Sequence, residues 1–388
     1  MNPSEQPRPR SRRDADVLVV GAGVAGAAAA WRAASAGAEV LVLDDSATRP
    51  PATTVAAGMI APVGEVTWGE ESLLEPALAS AADWPGFADR LADAAGLPVP
   101  YRRCGSVHVS LDRDEAAALG RRADLHQRCG LRSERLLGSE CRQLEPALAT
   151  HVVGGISAPE EAEVDPRALL AALRGAASEA GARFEPGRAR SIDPGRGTVD
   201  VEGAGSLGAT TVVLATGAWA GLDGLLGELR LPVRPVKGEI LRLRSPGSER
   251  LCERIIVGER FYIVPRASGE IVIGATVEER GFELGVSAGG VYELLREAYR
   301  AVPELAELEL AETSAGLRPG TPDNAPIIGR LDGSRLLVAS GLYRSGILLA
   351  PLVCAAFDEL LAERTPPPEL SGLGPDRFSS SHRRESRR

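Results

Sequence analysis

The sequence predicts an α/β fold: a discontinuous nucleotide-binding domain on a parallel sheet, with an inserted substrate domain built on a mostly antiparallel sheet. Three observations predict it. A glycine-rich turn joins a strand to a helix in residues 16–37, a second strand–turn–helix unit occupies residues 336–361, and short apolar strands fill residues 233–276. The chain has 388 residues. Because single hydrophobic cores stop growing near roughly 250–300 residues, more than one domain is expected.

Composition and charge exclude several classes of partner. The chain is 44% hydrophobic and 25% charged, which is ordinary for a globular protein. Its 53 acidic and 44 basic residues give a formal net charge of −9. Nucleic acids and anionic membranes attract basic surfaces, so neither is expected as a partner.

The N-terminal segment imitates an export signal, because basic residues 8–13 precede an apolar run. Asp14 and Asp16 interrupt the start of that run, and we interpret it as a folded strand and helix. No other stretch has the length of a membrane span. The five cysteines form no C-x-x-C pair and the four histidines are scattered. We therefore expect a reducing, cytoplasmic location, no metal site, and no side-chain acid or base of the histidine type.

The first turn carries the pattern G-x-G-x-x-G in the run Gly21-Ala-Gly23-Val24-Ala25-Gly26. A strand precedes it, an alanine-rich helix follows to about Gly37, and the strand 39–43 ends at Asp44 and Asp45. This order is typical of dinucleotide binding. Gly21 permits the tight turn, Gly23 lets the backbone approach a pyrophosphate, and Gly26 lets helix and strand pack closely. Asp44 is expected to accept a hydrogen bond from a ribose hydroxyl, but the motif does not distinguish NAD from FAD.

The middle of the chain alternates between helical and strand patterns. Residues 72–149 are predicted to be helix-rich with one strand at 106–110, and Pro166 suits the first turn of a helix that runs to about residue 180. A helix is expected at 287–302. The predicted strands between and around these helices are 183–184, 189–192, 210–215, 238–243, 261–265 and 270–275.

These patterns predict domain boundaries. The nucleotide-binding domain is assigned residues 14–75, 150–230 and 311–365, and the substrate domain residues 76–149 and 231–310. The polar ends, residues 1–13 and 366–388, are predicted to be disordered tails.

The last turn, Ser340 to Gly346, joins a buried strand to an apolar helix predicted at 347–361. The free N–H groups and positive dipole end of that helix would favour a developing negative charge. A reduced flavin carries such a charge near its pyrimidine ring, whereas a nicotinamide ring does not. This segment therefore favours a flavin.

Seven stretches, in order along residues 15–365, carry a family resemblance. The chain resembles the FAD-dependent D-amino-acid oxidase and sarcosine oxidase superfamily, and within it the glycine oxidases of thiamine biosynthesis. The stretches run over residues 21–26, 53–59, 235–239, 262–266, 274–276, 315–321 and 343–351.

The resemblance implies a Rossmann-like domain with non-covalently bound FAD. Ala189 would contact the adenine through its backbone, and residues 342–348 would lie along the pyrimidine side of the flavin. The implied cofactor residues are Gly21, Gly23, Val24, Ala25, Gly26, Asp44, Asp45, Thr53, Thr54, Ala57, Gly58, Met59, Ala189, Leu342, Tyr343, Arg344, Ser345, Gly346, Ile347 and Leu348.

The resemblance also places Arg318 and Arg344 in the substrate pocket, with Tyr262 as a hydroxyl donor. A guanidinium can bind the planar carboxylate of an amino acid with two parallel hydrogen bonds. The implied reaction is oxidative deamination of glycine and other small amines such as sarcosine and small D-amino acids. It gives an imine, then a 2-oxo acid and ammonia, with O₂ as the acceptor and hydrogen peroxide as the second product. Orientation and electrostatics would supply the catalysis, without a side-chain acid or base.

Two positions depart from familiar patterns: Leu342 and Arg260 stand where glycine oxidases often have histidine. Lys237 is the single lysine in a chain with many arginines. Either arginine does not fit at position 237, which would suggest a functional role, or the one retained lysine is accidental.

The expected partners are the small amino-acid substrate and O₂. A homo-oligomer, tetrameric by resemblance, and transfer of the imine to a thiazole synthase are also implied. Four alternatives stay open: a D-amino-acid dehydrogenase, a sarcosine-type oxidase, a tRNA-modifying flavoprotein and a non-catalytic FAD subunit. The net negative charge of the chain disfavours a tRNA-modifying flavoprotein. The presence of Arg318 and Arg344 disfavours a non-catalytic FAD subunit.

Overall fold

The computed structural model describes residues 15–245, 247 and 250–378. The strands in these residues are β1 (Ala15–Val20), β2 (Val40–Asp44), β3 (Met59–Ile60), β4 (Tyr101–Arg103), β5 (Ser106–Ser110), β6 (Glu134–Leu137), β7 (Gly154–Ala158), β8 (Ala162–Val164), β9 (Arg183–Pro186), β10 (Ala189–Asp193), β11 (Thr198–Val201), β12 (Gly205–Leu214), β13 (Arg234–Arg244), β14 (Ile255–Val257), β15 (Tyr262–Pro265), β16 (Glu270–Gly274), β17 (Glu309–Gly320), β18 (Ile327–Arg330) and β19 (Leu336–Ser340). The α-helices are α1 (Val24–Ser35), α2 (Ala52–Val55), α3 (Leu74–Ala95), α4 (Arg113–Arg128), α5 (Gly138–Leu144), α6 (Pro166–Glu179), α7 (Ala288–Ala301) and α8 (Ala350–Leu361).

The first large sheet contains five parallel strands in the order β9-β2-β1-β12-β19, with β18 antiparallel at one edge. The antiparallel strands β10 and β11 extend from the first half of β12. Val20 is in register with Leu43 on one side and Leu214 on the other. The carboxyl ends of these neighbouring strands therefore meet at one edge, where open α/β sheets bind ligands.

Small side chains allow the helices to pack closely on this sheet. Ala27, Ala28, Ala29 and Ala30 in α1 are completely buried and belong to a core shared with α6 and α8. Trp84 of α3 is also completely buried, and its Nε1 donates to the carbonyl oxygen of Leu348 at 2.9 Å. The packing of these alanines fixes α1, and thus the glycine-rich turn that precedes it, while the Trp84 hydrogen bond ties α3 to the turn before α8.

The second large sheet has the order β17-β13-β16-β15-β14-β5-β7-β6, antiparallel except for the parallel pair β14 and β5. The helix α7 packs against it, around a core that includes Leu294 and Ala298. A third sheet, β3-β8-β4, is made of short strands. The predicted fold class, a parallel nucleotide-binding sheet combined with a mostly antiparallel one, is confirmed.

Several local predictions are wrong in detail. The region predicted to hold one strand at 106–110 also contains β4 and β6. The last helix begins at Ala350, not at residue 347, because residues 346–349 form a separate turn before Pro351 enters the first helical turn. The strand β4 pairs with β8, some sixty residues further along the chain, and β6 pairs with β7 across the helix α5, and local patterns do not reveal either pairing.

Part of the predicted C-terminal tail is structured. Residues 368–370 and 375–378 form 3₁₀ turns, Leu370 is buried in the core, and Ile328 donates to the carbonyl oxygen of Leu373 at 2.9 Å. The predicted tail at 1–13 and the segment 379–388 lie outside the described residues.

The domain boundaries remain a prediction. Two strands assigned to the nucleotide-binding domain, β7 and most of β17, form hydrogen bonds within the second sheet instead. In the part of the chain that the structure describes, no helix is long and apolar enough to cross a membrane.

Candidate active site

A cavity of about 990 Å³ lies at the carboxyl ends of the parallel strands and is bounded on its other side by the second sheet. Its lining begins at Val20 and ends at Ile347. Nearly the whole length of the chain therefore contributes to it.

Two of the three motif glycines have no room for a side chain. Gly21 has φ +100°, and a Cβ there would lie 2.5 Å from the carbonyl oxygen of Ala215. A Cβ on Gly26 would lie 1.8 Å from the carbonyl oxygen of Gly21. At Gly23 the nearest atom would be 3.4 Å away, on Pro51. Gly21 and Gly26 thus allow the strand–helix contact, while Gly23 leaves the backbone open to the cavity.

The N-terminus of α1 suits a phosphate group. Its N-cap is Gly23, which has no capping side chain, and its first turn contains no acidic residue. The N–H of Val24 donates to Thr53 Oγ1 at 3.1 Å. The remaining free N–H groups and the positive dipole end form an anion site.

Asp44 and Asp45 line the cavity at the end of β2. Asp44 accepts hydrogen bonds from the backbone N–H of Ser46 at 3.0 Å and its hydroxyl at 2.8 Å. Asp45 accepts from Arg188 Nε at 2.8 Å. Both carboxylates are thus held near the position expected for a ribose.

The segment 53–59, which leads from α2 into β3, is anchored by a buried arginine in the turn that follows β15. Arg266 donates to the carbonyl oxygens of Ala57 and Val164 and forms an ion pair with Glu163. Gly58 has φ +78°, and a Cβ there would lie 2.0 Å from Val164 O. This backbone is therefore fixed where it faces the cavity.

The late turn meets the cavity from another side. Tyr343 has φ +45°, in the left-handed region, and its N–H donates to the carbonyl oxygen of Pro319 at 3.1 Å. Leu348 does not line the cavity, and its carbonyl oxygen accepts from Ser80 Oγ at 2.8 Å and from Trp84 Nε1 at 2.9 Å. The structure brings residues 342–344, 346 and 347 to the cavity.

Most of the predicted cofactor residues meet at this cavity. Those that line it are Gly21, Gly23, Val24, Ala25, Asp44, Asp45, Thr53, Ala57, Gly58, Met59, Ala189, Leu342, Tyr343, Arg344, Gly346 and Ile347. Gly26, Thr54, Ser345 and Leu348 do not line it. An open glycine turn, an uncapped helix N-terminus and two carboxylates fit a dinucleotide, so these residues suit FAD.

Arg318 lies within the strand β17, because residues 309–320 pair along almost the whole of β13. Its Nη1 donates to the carbonyl oxygens of Thr276 at 3.2 Å and Lys237 at 3.4 Å. Tyr262 lines the same part of the cavity, within the electrostatic range of the Arg318 guanidinium. Burial raises the pKa of the Tyr262 phenol, and the positive charge of Arg318 opposes that rise.

Arg344 lines the cavity but has a protein partner. Its Nη2 donates to Glu70 Oε2 at 2.7 Å, and its guanidinium lies 5.2 Å from the centre of the Tyr343 ring. Of the two positions that depart from the family pattern, Leu342 is buried in the wall and Arg260 is exposed at the rim. Arg260 lies 3.4 Å from Glu293.

Lys237 does not line the cavity. It is buried in β13, with Nζ 2.7 Å from Glu239 Oε1. Glu239 also accepts from the backbone N–H of Ser287 at 2.9 Å, and Ser287 is the N-cap of α7. The lysine therefore belongs to a buried ion pair that ties the second sheet to the start of α7.

Sequence reasoning missed several residues of the cavity wall. The most notable are Glu65, Arg122 and Thr67, which lie beside the predicted substrate arginines, and Arg49, whose guanidinium lies 5.8 Å from the centre of the Trp219 ring. No motif marks them, since Glu65 and Thr67 follow the strand β3 in an irregular segment and Arg122 lies on a polar helix.

This arrangement defines a class of protein. A dinucleotide cavity at the carboxyl edge of a parallel sheet, closed by a second sheet that presents an arginine and a tyrosine, is typical of a dinucleotide-dependent oxidoreductase. The model of the FAD dependent oxidoreductase family, DAO, matches residues 16–360. The chain belongs to this family. The predicted resemblance and the predicted FAD cofactor are thereby confirmed.

Individual relatives share most of the chain. A bifunctional protein ThiO/ThiG from Trichormus variabilis is 35% identical over 371 residues, 94% of this chain and 55% of that protein. A glycine oxidase from Geobacillus kaustophilus is 34% identical over 343 residues, 87% of this chain and 90% of that protein. The crystal structure of glycine oxidase from G. kaustophilus has a TM-score of 0.88 at 32% identity and covers 94% of this chain and 99% of that chain. The chain thus spans about half the length of the bifunctional relatives that it matches.

Proposed function

We propose that the protein oxidises the Cα–N bond of glycine and similarly small amino acids, giving an imine that hydrolyses to a 2-oxo acid and ammonia. The observation that carries the proposal is that the Arg318 guanidinium and the Tyr262 hydroxyl both lie in the wall of the cavity, within electrostatic range of each other. Relatives that are glycine oxidases support the choice of substrate. Sarcosine and small D-amino acids are further substrates in this proposal.

The residues of the chain act mainly by positioning. Arg318 binds the substrate carboxylate with two parallel hydrogen bonds, and the Tyr262 hydroxyl donates a further hydrogen bond to the same carboxylate. Arg344 adds positive charge once its contact with Glu70 opens. Gly21, Gly23, Asp44 and the other lining residues hold the cofactor. Bound FAD supplies the two-electron acceptor, which O₂ reoxidises with release of hydrogen peroxide.

The experiment adds glycine, sarcosine or D-proline to the purified, FAD-loaded protein without oxygen, and then admits air while peroxide is measured. Loss of the flavin absorbance with glycine, followed by recovery and peroxide in air, is the expected result. Bleaching without recovery in air would indicate a dehydrogenase instead. If none of the three amines bleaches the protein, the proposed function is wrong.

The imine is proposed to pass to a thiazole synthase, since relatives of this chain are named as bifunctional ThiO/ThiG proteins. A homo-oligomer, a tetramer by resemblance, is part of the same proposal. Light scattering of the purified protein tests the oligomer. Ammonia release measured with and without an added thiazole synthase tests the transfer, because captured imine releases no ammonia.

A further inference from the structure

One carboxylate in the cavity wall has no role so far. Glu65 lines the cavity, and its side chain makes no hydrogen bond within the described residues. Arg122, Arg318 and Arg344 line the same cavity, and these three arginines and Glu70 lie within the electrostatic range of Glu65. The phenol of Tyr262 also lies within its electrostatic range. Glu65 thus faces the same space as the two groups proposed to bind the substrate carboxylate.

An amino acid brings two charges into this space. At neutral pH its carboxylate is ionised and its α-amino group is protonated, because the pKa of an α-amine lies above 7. Arg318 and Tyr262 account for the carboxylate, but the ammonium group also loses water and needs a partner. The other acidic residues that line the cavity are Asp44, Asp45, Glu259, Glu278 and Glu293. Four of them are paired with arginines, namely Asp44 with Arg174, Asp45 with Arg188, Glu278 with Arg280 and Glu293 with Arg260, and Glu259 is exposed.

We propose that Glu65 binds the ammonium group of the substrate and takes one proton from it, which leaves a neutral amine. This inference rests on the proposed function. In the step an N–H bond of the substrate breaks and an O–H bond forms on the Glu65 carboxylate. No electron is transferred. The lone pair that stays on nitrogen forms the C=N bond of the imine when the Cα hydrogen leaves as a hydride, so no base is needed at Cα.

The surroundings of Glu65 agree with this role. Burial raises the pKa of the Glu65 carboxyl, while Arg344, Arg318 and Arg122 oppose the rise. A raised pKa narrows the gap between the carboxyl and the amine, which makes proton transfer less unfavourable.

The backbone beside Glu65 is held by an acidic residue in the turn between β7 and β8. The N–H of Gly64 donates to Glu161 Oε1 at 2.5 Å, and a Cβ on Gly64 would lie 2.4 Å from His108 Nε2. Glu161 is itself buried, and burial raises its pKa to about 7. Glu161 is thus a positioning residue, which fixes where the next side chain, Glu65, enters the cavity.

Two ligands separate binding of the amine from turnover. 2-Aminoisobutyrate and 2-hydroxyisobutyrate have the same shape and no Cα hydrogen, so neither can be oxidised by hydride loss. Only the first carries an ammonium group. Their affinities for the FAD-loaded protein are measured from the change in the flavin absorption spectrum. The variants are Glu65→Gln, Glu65→Asp as the variant that keeps the charge, and Glu70→Gln as a matched control from the same segment.

The wild-type protein is expected to prefer the amine ligand. Glu65→Gln should reduce that preference by about tenfold or more, by weakening the amine ligand while the hydroxy ligand binds as well or better. Glu65→Asp should keep part of the preference. Glu70→Gln, which frees Arg344, should change both affinities together and leave the ratio intact.

The pH dependence of bleaching at low glycine concentration gives a second readout. In the wild type the rate should fall only in acid, where Glu65 is protonated. In Glu65→Gln the rate should keep rising above neutral pH, where the free amine is formed in solution. A Glu65→Gln protein with the wild-type ligand ratio and the wild-type pH profile would overturn the inference. A wild-type protein that binds neither ligand and is not bleached by glycine would overturn the proposed function itself.

Discussion

Gly238 lies directly beneath the guanidinium of Arg318: a Cβ built at position 238 would be 2.3 Å from Nη1 and 2.5 Å from Nη2. The two residues are on the neighbouring strands β13 and β17. Because position 238 has no side chain, the arginine can fold over β13 and reach the carbonyl oxygen of Thr276. The orientation of the proposed carboxylate-binding group is therefore set by a glycine on the adjacent strand.

Replacing this glycine should weaken substrate binding without loss of the cofactor. In Gly238→Ala the methyl group displaces the Arg318 guanidinium, and the KM for glycine should rise about tenfold or more. Steady-state kinetics and FAD titration measure the two effects. Gly285→Ala is the matched control, since a Cβ there meets no atom within 4 Å. An unchanged KM in Gly238→Ala would show that Arg318 does not bind substrate in this orientation.

Gly23 should distinguish cofactor binding from folding. A methyl group at position 23 meets no protein atom closer than 3.4 Å, so the apoprotein of Gly23→Ala should fold with wild-type stability. The same methyl group should obstruct a pyrophosphate and weaken FAD binding about tenfold or more. FAD fluorescence titration and urea unfolding of the apoprotein provide the measurements. Gly21→Ala, by contrast, should destabilise the apoprotein too, and equal effects in both variants would refute the distinction.

The buried ion pair of Lys237 and Glu239 should be a stability determinant. Lys237→Ala leaves the Glu239 carboxylate buried without its cation, which should lower the free energy of unfolding by about 3–5 kcal/mol. Lys237→Arg keeps the charge but adds bulk in a packed site, with an expected loss of about 1–3 kcal/mol. Urea unfolding measures both. Turnover of Lys237→Arg should match that of the parent protein once folded, and a large fall in turnover would instead give the lysine a functional role.

His108 should make the stability fall in mild acid. Burial, with the nearby charges of Arg122 and His126, lowers the pKa of His108 to about 3. Below a pH of roughly 6.5 the unfolded chain binds a proton there that the folded protein does not. The contribution of His108 is therefore complete above that pH and is lost progressively as the pH falls toward 3.

The measurement compares His108→Gln with the wild type by urea unfolding at pH 7 and pH 5. Between these two pH values the free energy of unfolding of the variant should fall by about 2 kcal/mol less than that of the wild type. Glu161, whose pKa is raised to about 7, makes the folded protein more stable as the pH falls, which opposes the effect of His108. It is present in both proteins, so the difference between them isolates His108. Equal losses in the two proteins would show that His108 is protonated in the folded state.

Short-range sequence patterns predicted the nucleotide-binding edge well. The strand before Gly21, the helix after it and the acids at the end of β2 are neighbours in sequence, and each has a residue type dictated by local geometry. The same holds for Pro166 in the first turn of α6. Where one segment contains both the signal and its partner, the sequence is sufficient.

The rest of the site depends on contacts between distant segments. The glycines and prolines around Arg318 are typical of a loop. In the structure this segment is a strand, because it pairs with β13, some eighty residues earlier in the chain. Glu65 can be identified only in the folded structure, where Arg318, Arg344 and Arg122 lie within its electrostatic range. In a chain with many arginines, no local pattern indicates which of them share a cavity.

The central position of β12 between β1 and β19 has a consequence for synthesis of the protein on the ribosome. The last parallel strand, β19, ends at Ser340, and the cavity is completed only by residues up to Ile347. The emerging chain therefore lacks a complete FAD site until the segment up to Ile347 has left the exit tunnel. Domains generally fold as units during translation, but this domain must wait for β19 and the turn that follows it, so the complete FAD site forms only after that segment has emerged.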